Sequence, residues 1–205
     1  APHADLKVEV VDAPASARGG DAVTITWRVR NAGDAGTNVA AWTDAVYLSA
    51  DGVLDASDVL LAEVPRSSAL AIDGSYTQSA RVFAPNGLTG NYRFLVRTDA
   101  GNTVYEAGFD ANNTTAALAG TALSPAAVAD LQVTAVSLPE GGVPGELRTV
   151  TWTVRNAGDA VAAGTWTDRV YLTTTGTLAG AVLIGSFAQG RNVAAGGSYT
   201  QSMEV

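Results

Sequence analysis

Cysteine is absent from the 205 residues, which excludes disulfides, thiolate metal sites and cysteine nucleophiles together. Histidine occurs once, as His3, and lysine once, as Lys7, so the common base–nucleophile pairs of hydrolases cannot be assembled. Paired carboxylates are the one acid–base route the composition leaves, and no enzymatic activity is expected. His3 lies in the segment Ala1-Pro2-His3-Ala4, where a terminus commonly lacks fixed surroundings. Positive charge is scarce: 12 basic residues face 20 acidic ones, for a net charge of −8, so nucleic acid is not an expected partner. Long apolar runs are missing as well. The longest run of small apolar residues, 116–129, is broken by Gly120, Ser124 and Pro125 and falls short of the roughly 18 residues that span a bilayer. Neither membrane insertion nor a signal peptide is expected.

What is present is a protein with 47% hydrophobic and 16% charged residues, the balance of a folded globular chain. It contains an internal repeat. Ala4-Asp5-Leu6-Lys7-Val8 returns as Ala129-Asp130-Leu131-Gln132-Val133, and Trp27-Arg28-Val29-Arg30-Asn31-Ala32-Gly33-Asp34 returns as Trp152-Thr153-Val154-Arg155-Asn156-Ala157-Gly158-Asp159. Further on, Trp42-Thr43-Asp44-Ala45-Val46-Tyr47-Leu48 matches Trp166-Thr167-Asp168-Arg169-Val170-Tyr171-Leu172, and Gly74-Ser75-Tyr76-Thr77-Gln78-Ser79 matches Gly197-Ser198-Tyr199-Thr200-Gln201-Ser202. Repeats of solenoids run at about 20–50 residues, so copies this long indicate tandem domains. The expected boundaries are a first domain over 1–117, a short linker over 118–128 marked by Ser124-Pro125, and a second domain over 129–205.

Within a copy the dominant period is two. Val23, Ile25, Trp27 and Val29 alternate with Thr24, Thr26, Arg28 and Arg30, and Val150, Trp152 and Val154 alternate with Thr149, Thr151, Thr153 and Arg155, as in half-buried strands. Similar segments at 6–11, 41–49, 59–64, 75–83, 91–97 and 103–106 bring the first copy to seven strands, separated by turn clusters such as Asn31-Ala32-Gly33-Asp34 and Pro85-Asn86-Gly87. The fold class is therefore all-β, with tandem sandwiches of the immunoglobulin or fibronectin III kind. After Ser202 the second copy has three residues where the first copy continues for another 36 beyond Ser79, so the second domain is expected to lack its last two strands. The exposed edge this leaves would suit a strand donor, although a fragment of a longer array is the plainer explanation.

The run Val-Arg-Asn-Ala-Gly-Asp, followed by Trp-Thr-Asp-Ala-Val-Tyr-Leu-Ser-Ala-Asp, Leu54-Asp55-Ala56-Ser57-Asp58, Gly-Ser-Tyr-Thr, Gly90-Asn91-Tyr92-Arg93-Phe94-Leu95-Val96, Asp99, Glu106 and Asn112-Asn113, resembles the CARDB family, a cell-adhesion-related domain found in bacteria. That resemblance implies an Ig-like sandwich repeated in long extracellular or surface-anchored bacterial proteins, used as a spacer or adhesive module. Its neighbours in the same chain and a protein or glycan adhesion target are the implied partners.

Asp51, Asp55 and Asp58 share one loop and are candidate ligands for calcium, which takes six to eight oxygens at about 2.3–2.6 Å. The alternative is turn chemistry, in which Asp and Ser side chains accept from nearby backbone N–H groups. The matching loop of the second copy, Thr173-Thr174-Thr175-Gly176-Thr177, holds no acid, so any calcium belongs to the first domain. Asp44 and Asp168 fall on the apolar face of their strands and must be hydrogen-bonded there; the expected donors are backbone N–H groups near a strand end. Trp27, Trp42, Trp152 and Trp166 recur at matching positions and read as core. Asp99, Glu106, Asn112 and Asn113 form a second candidate oxygen cluster. Tyr47, Tyr105 and Phe109 are the candidates for an aromatic platform, should the chain be a carbohydrate-binding or accessory module of an extracellular enzyme.

Overall fold

Alternation decides which strands form and which face each one buries. In β3 (Ala22–Asn31) the side chains of Val23, Ile25, Trp27 and Val29 are buried while Thr24 and Arg28 face water, the period-two pattern of a strand covered on one side. The computed structural model describes residues 1–205 apart from Gly142 and Pro144, and all its regular structure is β except for a short 3-10 turn over Asp110–Asn112. Among the described residues, no helix is long and apolar enough to cross a membrane. The chain divides into two units, Ala1–Ala126 and Ala127–Val205.

In the first unit, β1 (Leu6–Asp12), β3 and β6 (Ser75–Phe83) make one antiparallel sheet, with β3 in the centre. The other sheet runs in the order β2 (Ser16–Arg18), β9 (Thr121–Ser124), β7 (Gly90–Arg97), β4 (Trp42–Ser49), β5 (Val59–Arg66). β8 (Thr114–Ala116) pairs with the second half of β7, and β9 with its first half. Leu6, Val8, Ile25, Trp27, Val29, Val46, Leu48, Phe94 and Val96 from both sheets meet in one core. Burying side chains of this size contributes about 1.5–3 kcal/mol each.

Two expectations about chain path need correction. Residues 103–106 form no strand, because the Asp99 carboxylate takes the N–H groups of Thr103 and Val104, at 2.9 Å each, that a ladder would need. The stretch 118–128 is not simply a linker: its residues Thr121–Ser124 pair antiparallel with β7 and parallel with β2, so the first unit closes with β9. The N-terminal segment also has fixed surroundings. His3 N–H donates to Asp34 Oδ1 at 2.8 Å, its carbonyl accepts from Asp34 N–H and Ala35 N–H, and its ring stacks on Phe109 with centroids 5.1 Å apart.

The second unit has a sheet in the order β10 (Leu131–Ser137), β11 (Thr149–Asn156), β14 (Ser198–Glu204), and a pair, β12 (Thr165–Leu172) with β13 (Val182–Gly190). The registers repeat those of the first unit: Leu131 lies opposite Asn156 as Leu6 does opposite Asn31, and Val136 opposite Trp152 as Val11 does opposite Trp27. Even the irregularity in β1 after Val8 recurs after Val133. A Cβ on Gly33 would lie 2.3 Å from the His3 carbonyl oxygen, and one on Gly158 would lie 2.2 Å from that of Val128. Only glycine admits this approach of turn to strand. Gly33→Ala is therefore expected to cost about 1–3 kcal/mol of overpacking, read as a lower denaturation midpoint of the first unit at unchanged slope.

Candidate functional site

The acidic loop follows β4. Ser49, the last residue of that strand, accepts from Asp51 N–H and Gly52 N–H at 3.3 and 3.0 Å and donates its hydroxyl to Asp51 Oδ1 at 3.1 Å. Asp51 Oδ1 also accepts Val53 N–H at 2.9 Å, Asp58 Oδ2 accepts Asp55 N–H at 3.1 Å, and Asp55 Oδ1 accepts both Ser57 N–H and the Ser57 hydroxyl. These Ser57 bonds hold the Asp55 carboxyl below its usual range. Each acid is thus engaged with its own turn. Among the described residues, no group of three or more His, Asp or Glu side chains is placed to hold a metal ion. The loop of the second unit makes the corresponding turn without charge, Thr175 N–H donating to Thr173 Oγ1 at 3.1 Å where Asp51 N–H donates to Ser49.

Asp44 is 1% exposed and sits between the sheets. Its donors are side chains and not the backbone N–H groups expected: Trp27 Nε1–H at 2.8 Å, the Tyr76 hydroxyl at 2.8 Å and the Thr98 hydroxyl at 2.8 Å. Trp42 Nε1–H in turn donates to the Tyr76 oxygen at 3.2 Å. The strands carrying these groups, β3, β6 and β4, are thereby tied across the core by one carboxylate. Burial, reinforced by the Asp44 charge, pushes the Tyr76 hydroxyl pKa well up, so Tyr76 stays a donor at all physiological pH values. The Arg66 guanidinium lies over the Tyr76 ring, 3.8 Å from its centroid, and covers the outer side of the node.

The second unit repeats the arrangement. Asp168 accepts Trp152 Nε1–H at 3.1 Å and the Tyr199 hydroxyl at 2.8 Å, Trp166 Nε1–H donates to the Tyr199 oxygen at 2.9 Å, and Arg191 lies over the Tyr199 ring at 4.5 Å. Gln189 Nε2–H, at 3.1 Å from Asp168, stands in for the threonine. Burial raises the Tyr199 pKa as well. Trp27, Trp42 and Trp152 are buried and Trp166 is half-buried, as their recurrence in sequence suggests.

A second repeated device was not anticipated from the sequence. Asn31 is fully buried at the end of β3; its Oδ1 accepts Asp5 N–H and Gly33 N–H at 3.0 and 3.1 Å, and its Nδ2 donates to the Ala35 carbonyl at 2.8 Å and to those of Leu70 and Ala71. Asn156 makes the same set with Asp130, Gly158, Ala160, Val193 and Ala194. The recurrence of Asn-Ala-Gly-Asp in both copies was the signal.

The other oxygen cluster is internal. Asp99 accepts Thr103 N–H, the Thr103 hydroxyl and Val104 N–H, while Glu106 accepts Leu6 N–H at 2.6 Å and Asn113 Nδ2–H at 2.8 Å, and Asn112 donates to Asp5 at 2.8 Å. Desolvation raises the Glu106 pKa above its ordinary 4.5, against the two hydrogen bonds that lower it. The folded state therefore holds a proton that the unfolded chain has released, and this group's contribution to stability falls as pH rises from about 4.5 through the folded pKa. Glu106→Gln is expected to flatten that part of the pH dependence of the melting temperature. The buried Asn113 Oδ1, which has no partner, can accept the new amide after a flip. Of the candidate platform aromatics, Tyr105 and Phe109 are more than half exposed in the loop beyond Asp99, and Tyr47 is half-buried on β4.

A model of the CARDB family matches residues 3–117, more than half of the chain and all of the segment from β1 to β8. The chain belongs to the CARDB family. No curated protein matches it. Among solved structures it is similar to the crystal structure of the CARDB domain of a Pyrococcus furiosus protein in complex with di-metal ions, at 19% identity, covering 60% of this chain and 90% of that one with a TM-score of 0.44. The solution structure of that CARDB domain is similar at 19% identity, 59% and 95% coverage and a TM-score of 0.42. The red sea bream transglutaminase is similar at 12% identity, over 97% of this chain and 26% of that one, with a TM-score of 0.36. The Asp44 node, the Asn31 turn and the acidic loop all lie within the CARDB match.

Proposed function

We propose that the chain is a non-catalytic spacer and adhesion module of a bacterial secreted or surface-anchored multidomain protein, built from two Ig-like copies of one CARDB module. The duplicated registers, carboxylate nodes and asparagine turns support the two-copy reading. The observation that carries the spacer reading is the parallel pairing of β2 with β9. Once β1 has come away from β3, a pull on the two ends of the first unit draws β2 toward its N-terminal end and β9 toward its C-terminal end. Parallel strands so loaded must slide, and their hydrogen bonds break together rather than one by one. Gly19 N–H to Ser124 and Ala122 N–H to Ala15, both at 2.9 Å, flank that pair.

Single-molecule stretching of the chain by its ends tests this. The first unit is expected to yield in one abrupt step on the order of 400 Å of released contour, at a force lowered by Ala122→Pro, which deletes the N–H bonded to Ala15. Extension of the first unit without a force peak would contradict the reading.

One oxygen each of Asp51, Asp55 and Asp58 accepts within its own turn, which supports turn chemistry over a calcium site at this loop. Excess EDTA is expected to leave the first unit's melting temperature unchanged, whereas a site held at about 100 times its dissociation constant would contribute roughly 2.7 kcal/mol. The second reading, a carbohydrate-binding accessory module, is favoured by one observation: Tyr105 is exposed on the rim of a hollow that Glu106 and Asp110 also line. A glycan array read with the parent chain and with Tyr105→Ala decides it.

A further inference from the structure

Asn86-Gly87 is the one place in the chain where asparagine precedes glycine. The pair forms the turn between β6 and β7, both residues are exposed, and Gly87 has a φ of +80°, the value of the third residue of a type II turn. A Cβ on Gly87 would meet nothing within 4 Å, so the turn is open on that side. Among the described residues, neither the Asn86 side-chain amide nor the Gly87 N–H takes part in a hydrogen bond. The asparagines that precede alanine are held differently. Asn31 and Asn156 are fully buried and each donates through Nδ2 to three carbonyls, and the N–H that follows, of Ala32 or Ala157, is bonded to the carbonyl of Asp5 or Asp130 at 2.7 Å.

The Asn86 turn also bears on the pairing of β2 with β9. A Cβ on Gly19 would lie 3.0 Å from Asn86 Oδ1 and 3.1 Å from Asn86 Cα, so the turn rests directly on the Gly19 backbone. Gly19 N–H extends the β2–β9 pair by one rung, to the Ser124 carbonyl at 2.9 Å, and Gly20 N–H is bonded to the Ala84 carbonyl at 2.8 Å.

We propose that Asn86 is a self-modification site, where deamidation through Gly87 converts the amide to a carboxylate and loosens the β2–β9 pair. The Gly87 main-chain nitrogen attacks Asn86 Cγ and the new N–Cγ bond closes a succinimide ring. The Cγ–Nδ2 bond breaks, the proton of the Gly87 nitrogen passes to the departing group, and ammonia leaves. Water then opens the ring at either of its carbonyls and restores a main-chain N–H, giving aspartate or isoaspartate with nothing oxidised or reduced. Glycine favours the attack because, without a Cβ, its backbone can take the conformations that bring its nitrogen onto the neighbouring side chain. Isoaspartate also routes the main chain through Cβ, which adds a methylene to a turn that already touches Gly19. The turn must then shift, and the Gly19–Ser124 rung with it. The effect on force rests on the reading of β2–β9 as a mechanical clamp; the modification itself does not.

The full chain, aged at mildly alkaline pH where the attacking nitrogen loses its proton more readily, is mapped by peptide mass spectrometry, with isoaspartate detected by enzymatic methylation. The mass gain of amide-to-acid conversion is expected at Asn86 before any at Asn31 or Asn156, and its loss is expected in Asn86→Gln, whose longer side chain does not close the same ring. The aged parent is expected to show a lower melting temperature of the first unit and a lower force step than the fresh parent, and the aged Asn86→Gln chain neither change. No gain at Asn86, a gain spread evenly over the asparagines, or a chain modified at Asn86 whose first unit melts as before overturns the proposal. A fresh chain that stretches without a force peak contradicts the clamp, while the mass and melting readouts still decide the modification.

Discussion

Asp44→Ala is expected to lower the first unit's stability by about 3–5 kcal/mol, seen as a fall of roughly 10–20 °C in its calorimetric transition. The carboxylate is the shared acceptor of an indole N–H and two hydroxyls, and Trp27 and Thr98 are fully buried. Removing it leaves the buried Trp27 N–H without a partner and the Tyr76 and Thr98 hydroxyls with only each other, 3.2 Å apart, and each buried donor so orphaned costs about 1–3 kcal/mol. The methyl of alanine fills none of the space. Asp44→Asn keeps one oxygen and turns an amide N–H₂ toward donors, so its effect is expected to fall between parent and alanine. Asp168→Ala provides the internal comparison. That node is half-buried and its donors reach solvent more easily, so the loss in the second unit is expected to be about 1–3 kcal/mol. Equal losses in the two units would show that burial does not set the value of the node.

The asparagine turns are expected to behave differently. Asn31 and Asn156 are each 0% exposed and make the same five contacts, so Asn31→Ala and Asn156→Ala are expected to cost their respective units a similar amount, about 2–4 kcal/mol. Each side chain satisfies two N–H groups and draws three carbonyls from two separate turns toward itself. Asp is a poor replacement because it cannot donate to those carbonyls, whereas the loss on Asn31→Asp should exceed that on Asn31→Ser only if the donating half carries the turn. Denaturant midpoints of the two units, followed separately, measure both claims. A cost in one unit only would mean that the shared geometry is not what stabilises the turn.

The strands with strict alternation, such as those carrying Val23 to Val29 and Val150 to Val154, were legible because a half-covered sheet imposes a period of two on the residues themselves. β8 and β9 were not. Thr114–Ala116 and Thr121–Ser124 are segments of only three and four residues, whose pairing is decided by β7 and β2 elsewhere in the chain. Thr103–Glu106 failed in the opposite way, since its β-prone residues lost their ladder donors to Asp99. The side of the strand on which Asp44 lies could be read from alternation, but its donors come from positions 17, 32 and 54 residues away and no local pattern names them. The loop acids illustrate a third limit. A run of carboxylates looks the same whether its oxygens point outward to a cation or inward to the turn, and here one oxygen of each acid turns inward, to Ser49, Val53, Asp55 or Ser57.

In the first unit β7 pairs along β4, whereas β12 is paired with β13 alone among the described residues. Residue-resolved hydrogen exchange on the full chain tests it most directly. Amides along β4, held between β5 and β7, are expected to exchange only through global unfolding of the first unit. Amides of β12 that face away from β13 are expected to exchange orders of magnitude faster than those that face it. Uniform protection along both faces of β12, matching that of β4, would contradict this pairing.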